Sequence, residues 1–264
     1  MVSEPMTSFL GDDIAVNLQE HIGIVEICRP PDNFFDVTLL DAVADGFGRL
    51  VAEPACRAIV LASVGKTFCA GAKFFTPGQG GRSARSGSRF YAAALQLFGC
   101  PKPVIAAVQG PAIGGGLGLA LVADFRVVTP EARFAANFVK LGIHPGFGIT
   151  ATLPRVVGQQ RAALMLYTGR RVKGEEALGW GLADLLVPQE QLRAAAVALA
   201  TEVAEAAPRA VQATRATMRA GLAELVQTQT AHELSEQEKL FKTADFREGV
   251  RAVAERRAGR FTGA

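Results

Sequence analysis

Apolar residues along this chain fall partly in short runs and partly at helical spacing, and the order of the two patterns predicts its elements. After a loose N-terminus over residues 1–11, Ile14-Ala15-Val16-Asn17-Leu18 and Ile22-Gly23-Ile24-Val25-Glu26-Ile27 read as two strands around a short turn at His21. Arg29-Pro30-Pro31-Asp32-Asn33 breaks the strand pattern. From about Thr38 to Ala52 a helix follows, with Leu40, Val43, Phe47 and Leu50 on one face. Arg57 to Ala62, Pro103 to Val108 and Phe125 to Val128 read as buried strands, with a helix from about Ser88 to Phe98 and another beginning near Gly115 or Gly116. Residues 77–88, rich in Gly, Ser and Arg, read as a mobile loop. The character becomes helical from about Ile149. Helices are expected over Gln191 to Ala206, Ala210 to Leu225, Thr230 to Phe241 and Phe246 to Arg257. The strand–helix alternation predicts a layered α/β core over residues 1–190 and a helical region over residues 191–264.

Composition narrows the class. With 264 residues, 49% hydrophobic and 20% charged, the chain can bury a large core. A net charge of +3 with no long Lys/Arg block argues against a nucleic-acid partner. Arg251, Arg256, Arg257 and Arg260 cluster near the C-terminus, but Glu248 and Glu255 are interspersed, as on a solvated helix face. Cys28, Cys56, Cys69 and Cys100 form no CxxC pair and no zinc-like spacing with His21, His144 and His232, so no metal site is expected. Reduced, packed thiols in a cytoplasmic protein are expected, without a secretory signal or a membrane span.

Two segments carry the candidate chemistry: Phe68-Cys69-Ala70-Gly71-Ala72 and Ala112-Ile113-Gly114-Gly115-Gly116-Leu117-Gly118. Each places small residues where a main-chain N–H can face a ligand unobstructed. Two such N–H groups converging on one oxygen form an oxyanion hole, which stabilises charge that develops in acyl chemistry. Cys69, within the first segment, reads as a small packed residue rather than a nucleophile. No Ser-His-Asp set can be assembled around Ser63, and there is no phosphate loop or dinucleotide fingerprint.

These segments, with Lys102-Pro103-Val104-Ile105-Ala106-Ala107-Val108-Gln109-Gly110, Ala123-Asp124-Phe125-Arg126, Leu141-Gly142-Ile143-His144-Pro145-Gly146, Gly179-Trp180-Gly181-Leu182-Ala183 and the tail Asp245-Phe246-Arg247-Glu248-Gly249, resemble the crotonase superfamily, the enoyl-CoA hydratase/isomerase family. The resemblance runs from Ile22 to Phe261. It implies a spiral of ββα units with a helical C-terminal region that builds homotrimers or dimers of trimers. It implies an acyl-CoA thioester as substrate, with coenzyme A carried as part of that substrate and no separate cofactor. By the same resemblance Ala72 and Gly115 supply the oxyanion N–H groups, and main chain around Phe68 and Ala70 meets the adenine. Gly114 and Phe138 fall beside the acyl group, and Arg256 or Arg257 falls near a CoA phosphate of a neighbouring subunit.

The chain departs from the family pattern where proton transfer takes place. Two glutamates flank the bound enoyl group in the family; their positions here are Gly118 and Phe138. A further acidic position of some members is Gly146, and the aspartate that commonly follows the first donor is Lys73. Neither glycine nor phenylalanine can act as a general base, so two-glutamate hydration is disfavoured. His144 is the candidate replacement, because imidazole moves protons near neutrality. Asn137, Lys73, Lys140 and Asp36 are further polar candidates, and Phe34, Phe35, Phe74 and Phe75 offer apolar surface for the pantetheine or acyl path. Isomerisation, C–C cleavage, decarboxylation and hydrolysis are left open. The alternatives are a non-catalytic acyl-CoA-binding protein and a hydratase that borrows a carboxylate from elsewhere in the chain.

Overall fold

The computed structural model describes residues 6–9 (by their backbone), 12–72 and 92–264; Lys73, Phe74, Phe75 and the loop expected over residues 77–88 lie outside the described residues. A seven-stranded sheet runs in the order β1 (Met6–Phe9), β2 (Ile14–Gln19), β3 (Ile22–Ile27), β4 (Ala58–Ser63), β5 (Val104–Val108), β7 (Phe125–Val128), β10 (Leu185–Leu186). The pairs β1–β2 and β2–β3 are antiparallel, and from β3 onward every neighbour is parallel. A second, three-stranded sheet holds β6 (Pro111–Ile113), β8 (Arg133–Ala135) and β9 (Arg171–Lys173). Turn-by-turn progression through the two sheets is the spiral architecture expected of the crotonase superfamily.

The strands at the centre are continuous apolar runs because both faces of the sheet are covered. Side chains alternate along β4, so Ile59 and Leu61 enter the main core while Ala58, Val60 and Ala62 face the other way. On the main side lies α1 (Val37–Ala52), capped at its start by Asp36, whose carboxylate accepts the Leu39 N–H at 2.9 Å. The opposite face is closed by α7 (Leu192–Glu205), where Leu192, Ala196, Ala200 and Ala204 recur every four residues and let the helix approach Ile22, Ile24 and Ile105. The division at residue 190 therefore precedes a helix that packs on the sheet.

The remaining helices are α2 (residues 92–98), α3 (Gly115–Ala120), α4 (Ile149–Val157), α5 (Gln159–Thr168), α6 (Gly174–Trp180), α8 (Pro208–Met218), α9 (Leu222–Leu240) and α10 (Ala244–Ala254). Asp124 ties the C-terminal helices to the sheet. Its carboxylate accepts from the Val104 N–H at 2.8 Å, Arg215 Nε at 2.8 Å and Arg219 Nη1 at 2.9 Å. Further along, α10 lies across the 3-10 turn Asn137–Leu141, so closely that a Cβ on Gly249 would sit 2.5 Å from the Leu141 carbonyl carbon.

Candidate active site

The two small-residue segments meet. Cys69 and Ala112 form a parallel bridge, with the Cys69 N–H donating to Pro111 at 3.0 Å and the Ile113 N–H donating to Cys69 at 3.0 Å. On the other side of the first segment, Phe35 bridges Ala72, its N–H donating to Gly71 at 3.0 Å. The Ala70 N–H donates to Asp32 at 2.9 Å. Gly71 has φ +87°, and a Cβ there would lie 2.6 Å from the Ile113 oxygen and 3.4 Å from the Gly115 nitrogen. Only glycine suits that backbone, and the clash distance shows how closely the segments pass. Gly114 turns the chain into α3 with φ +56°, its own N–H committed to Ala135 at 2.8 Å. Among the described residues, no main-chain acceptor takes the N–H of Ala72 or of Gly115.

Three of the four nearest side chains facing this turn are aromatic, and the fourth is Asn137. A Cβ on Gly115 would meet the Phe35 ring at 2.4 Å, and one on Gly118 would meet Phe147 Cδ1 at 2.6 Å. The nearest side-chain atoms to a Cβ on Gly114 are Asn137 Oδ1 at 3.5 Å and Phe138 Cζ at 3.7 Å. Phe35, Phe138 and Phe147 are all buried, and Phe147 packs against Phe35 at 5.7 Å and Phe98 at 6.4 Å between ring centroids. Position 118, where the resemblance places a glutamate, is thus an α-carbon covered by a phenylalanine ring. None of these four nearest side chains bears an acidic group.

The other expected residues are distributed as follows. His144 is half-buried; its Nδ1 lies 2.8 Å from the Pro145 carbonyl and its ring stands edge-on to His232 at 6.0 Å. A carbonyl only accepts, so Nδ1 carries the proton and Nε2 is the basic nitrogen of the neutral ring. Phe68 is fully buried, and Ala70 is half-buried on the approach to Ala72. Asp36 is the α1 cap and an ion-pair partner of Arg29 at 3.0 Å, which accounts for its carboxylate. Ser63 is held between Thr67 and Gln109, and Lys140 is exposed. Arg257 is engaged by Glu248 and Glu255, each at 2.5 Å. Burial pushes the Cys69 thiol up to about 12, in keeping with a packed side chain. No group of His, Cys, Asp and Glu among the described residues has the makings of a metal site.

Residues 17–264 match the family described as enoyl-CoA hydratase/isomerase. The chain belongs to the enoyl-CoA hydratase/isomerase family. It is 36% identical over 255 residues to a probable enoyl-CoA hydratase, EchA14, of Mycobacterium tuberculosis, covering 93% of this chain and 98% of the relative. A carnitinyl-CoA dehydratase of Proteus mirabilis is 34% identical over 241 residues, 89% of this chain and 92% of that one. Among solved structures, an enoyl-CoA hydratase/isomerase of Pseudoalteromonas atlantica superposes with a TM-score of 0.83 at 31% identity, covering 95% of this chain and all (100%) of the other. An enoyl-CoA hydratase of Mycobacterium avium subsp. paratuberculosis gives 0.84 at 27% identity, covering 95% and 98%.

Within this family member, several residues that support the site are not evident from sequence. The buried Asn33 amide donates to Val64 at 2.9 Å and Thr67 at 2.6 Å, and Gln109 Nε2 lies 3.2 Å from both Gly65 and Thr67. Both amides satisfy carbonyls of the loop that leads into Phe68. Phe147 and Glu233 join them. The Gly-Phe-Gly run at 146–148 is a visible signal for the first; Glu233, one of four glutamates on the mostly polar helix α9 (with Glu224, Glu236 and Glu238), carries none.

Proposed function

We propose that this enzyme binds an acyl-CoA thioester with the thioester oxygen between the N–H groups of Ala72 and Gly115, and stabilises the enolate formed there. The observation that carries this reading is the convergence of the two segments. A Cβ on Gly71, the neighbour of Ala72, would lie 3.4 Å from the Gly115 nitrogen, and among the described residues neither the Ala72 nor the Gly115 N–H is taken by a main-chain acceptor. Charge appears on the thioester oxygen when a bond at the α-carbon breaks, and two preorganised donors oppose it without reorganising. Removal of one donor from such a hole costs about 3–4 kcal/mol of barrier lowering.

Gly118 and Phe138 supply no carboxylate, and Phe147 fills the space at position 118. The reaction is therefore one whose demand for a base is small or is met elsewhere: isomerisation, C–C cleavage, decarboxylation or hydrolysis. Decarboxylation suits the aromatic surroundings, because departing carbon dioxide leaves the electron pair and no proton need be removed. His144 stays a candidate proton carrier through Nε2, and main chain around Phe68, Ala70 and Gly114 is read as the path of the CoA. Lys73, outside the described residues, and Arg257 are read as contacts to CoA phosphates. The same reading takes the enzyme as a cytoplasmic homotrimer or dimer of trimers.

The test is a panel of enoyl-, β-keto- and malonyl-type CoA esters with products followed by mass spectrometry. Turnover of at least one class supports the reading. Binding by calorimetry without turnover favours the second reading, a non-catalytic acyl-CoA-binding protein, for which the filled position 118 is the specific observation. Absence of binding rejects both.

A further inference from the structure

The strongest feature outside the proposed donors is a buried carboxylate on the C-terminal helix α9. Glu233 is fully buried and accepts three hydrogen bonds from the start of α4: the Gly148 N–H at 2.7 Å, the Thr150 N–H at 3.0 Å and Thr150 Oγ1 at 2.6 Å. One turn along the same helix, Gln237 Nε2 donates to the His144 carbonyl at 2.9 Å. Val226, also on α9, stands 2.7 Å from where a Gly148 Cβ would be. One helix thus holds the segment 144–150 at both ends.

The segment between those holds is the one that carries Phe147. Its backbone is left-handed at two consecutive residues, Phe147 with φ +67° and Gly148 with φ +69°. A non-glycine residue there is strained and persists only where its surroundings enforce it. The Glu233 carboxylate satisfies the N–H that immediately follows Phe147, and thereby fixes the direction in which the ring leaves the chain. That direction is onto Gly118, with the Phe35 ring alongside.

We propose that Glu233 is a positioning residue that holds Phe147 against Gly118, and that Phe147 thereby limits the bulk of the acyl group the enzyme accepts. The proposal rests on the acyl-CoA reading above. The acyl group this wall fits is apolar and slender next to the thioester; a branch close to the reacting carbons meets the Phe147 ring. C-terminal helix α9 therefore shapes the acyl wall without contributing a group to the reacting atoms.

The experiment uses the full chain and three variants: Glu233→Ala, Glu233→Gln and Phe147→Ala. Glu233→Gln keeps an acceptor for one N–H and serves if the alanine variant does not fold. Binding of CoA, butyryl-CoA and isovaleryl-CoA is measured by calorimetry, and deuterium exchange of the Gly148 and Thr150 amides is measured without ligand. Wild type is expected to prefer butyryl-CoA to isovaleryl-CoA by about tenfold, the size of discrimination one added carbon can give. In Glu233→Ala and Phe147→Ala that ratio falls towards one while CoA affinity holds, and Glu233→Gln lies between. Exchange of the two amides rises by about tenfold or more in Glu233→Ala. A wild-type ratio in Glu233→Ala beside a relaxed ratio in Phe147→Ala overturns the proposal, as does unchanged amide exchange. If wild type binds none of the three compounds, the acyl-CoA reading fails, and the exchange result alone decides whether Glu233 holds the turn.

Discussion

The ring of Phe147 occupies the space that a side chain at residue 118 would need: a Cβ built on Gly118 lies within 2.8 Å of Phe147 Cβ and Cγ as well as 2.6 Å from Cδ1. The two positions form a matched pair of small and large. Gly118→Glu by itself is expected to lower stability by about 1–3 kcal/mol through overpacking. Phe147→Ala leaves a void and costs about 3–5 kcal/mol. In the double variant the costs fall short of additivity, because the new side chain enters the vacated space. Urea unfolding of the two singles and the double measures the coupling; strict additivity would mean the ring and residue 118 do not share space.

Backbone geometry makes a second demand at Gly71. Alanine there meets the Ile113 oxygen and must adopt a φ of +87°. Gly71→Ala is expected to cost about 1–3 kcal/mol in strain and to weaken acyl-CoA binding more than CoA binding, since it shifts Ala72 away from Gly115. Equal loss of both affinities would place the effect elsewhere.

Helix anchoring rests on Asp124, which accepts from both Arg215 and Arg219 while all three side chains are largely buried. Asp124→Ala strands two guanidinium groups and is expected to cost about 3–5 kcal/mol. Denaturant unfolding at neutral pH reads this directly. A change below about 1 kcal/mol, the size of an exposed pair, would show that the pair is solvated.

Much of the fold was legible in the sequence because its strands are buried on both faces and so appear as unbroken runs, as at Ala58–Ser63 and Val104–Val108. The close passage of the two small-residue segments was legible because their glycines leave no room for a side chain: a Cβ on Gly71 would lie 2.6 Å from the Ile113 oxygen and one on Gly116 2.0 Å from the Cys69 oxygen. What surrounds them was not. Phe147 reaches Gly118 through a left-handed turn, and the clamp on that turn comes from Glu233, more than eighty residues away in sequence. Asp36 illustrates the converse: it is polar and follows Phe35, which bridges Ala72, yet its carboxylate caps α1 and pairs with Arg29. Helix α7, expected in the tail, packs on the sheet because its alanines recur every fourth residue.

Cys69 provides a chemical check on burial. With its thiol pushed up to about 12 by desolvation, it is protonated throughout the neutral range and should resist iodoacetamide in the folded protein. Cys28, half-buried, should label first. Peptide mapping after brief alkylation reads the order; early modification of Cys69 would mean that the segment opens readily.

The C-terminal tail should titrate. Arg257 and the Arg260 N–H hold Glu248 well below its usual 4.5, at about 2. A carboxylate depressed in the folded state contributes stability that is present above about 4.5 and lost as pH falls towards about 2. The difference in Tm between wild type and Glu248→Gln should therefore shrink across that window. A constant difference would show that the pair is not formed in solution.

The proposed function places the thioester oxygen between the N–H groups of Ala72 and Gly115. Infrared spectroscopy of an acyl-CoA labelled with carbon-13 at its thioester carbonyl tests this directly. Two hydrogen bonds from a preorganised pair lower the carbonyl stretching frequency of the bound ester below its value in water, and Ala72→Pro, which deletes one donor, returns it part of the way. A bound ester with the frequency it has in water would mean that its oxygen is not held by these two donors.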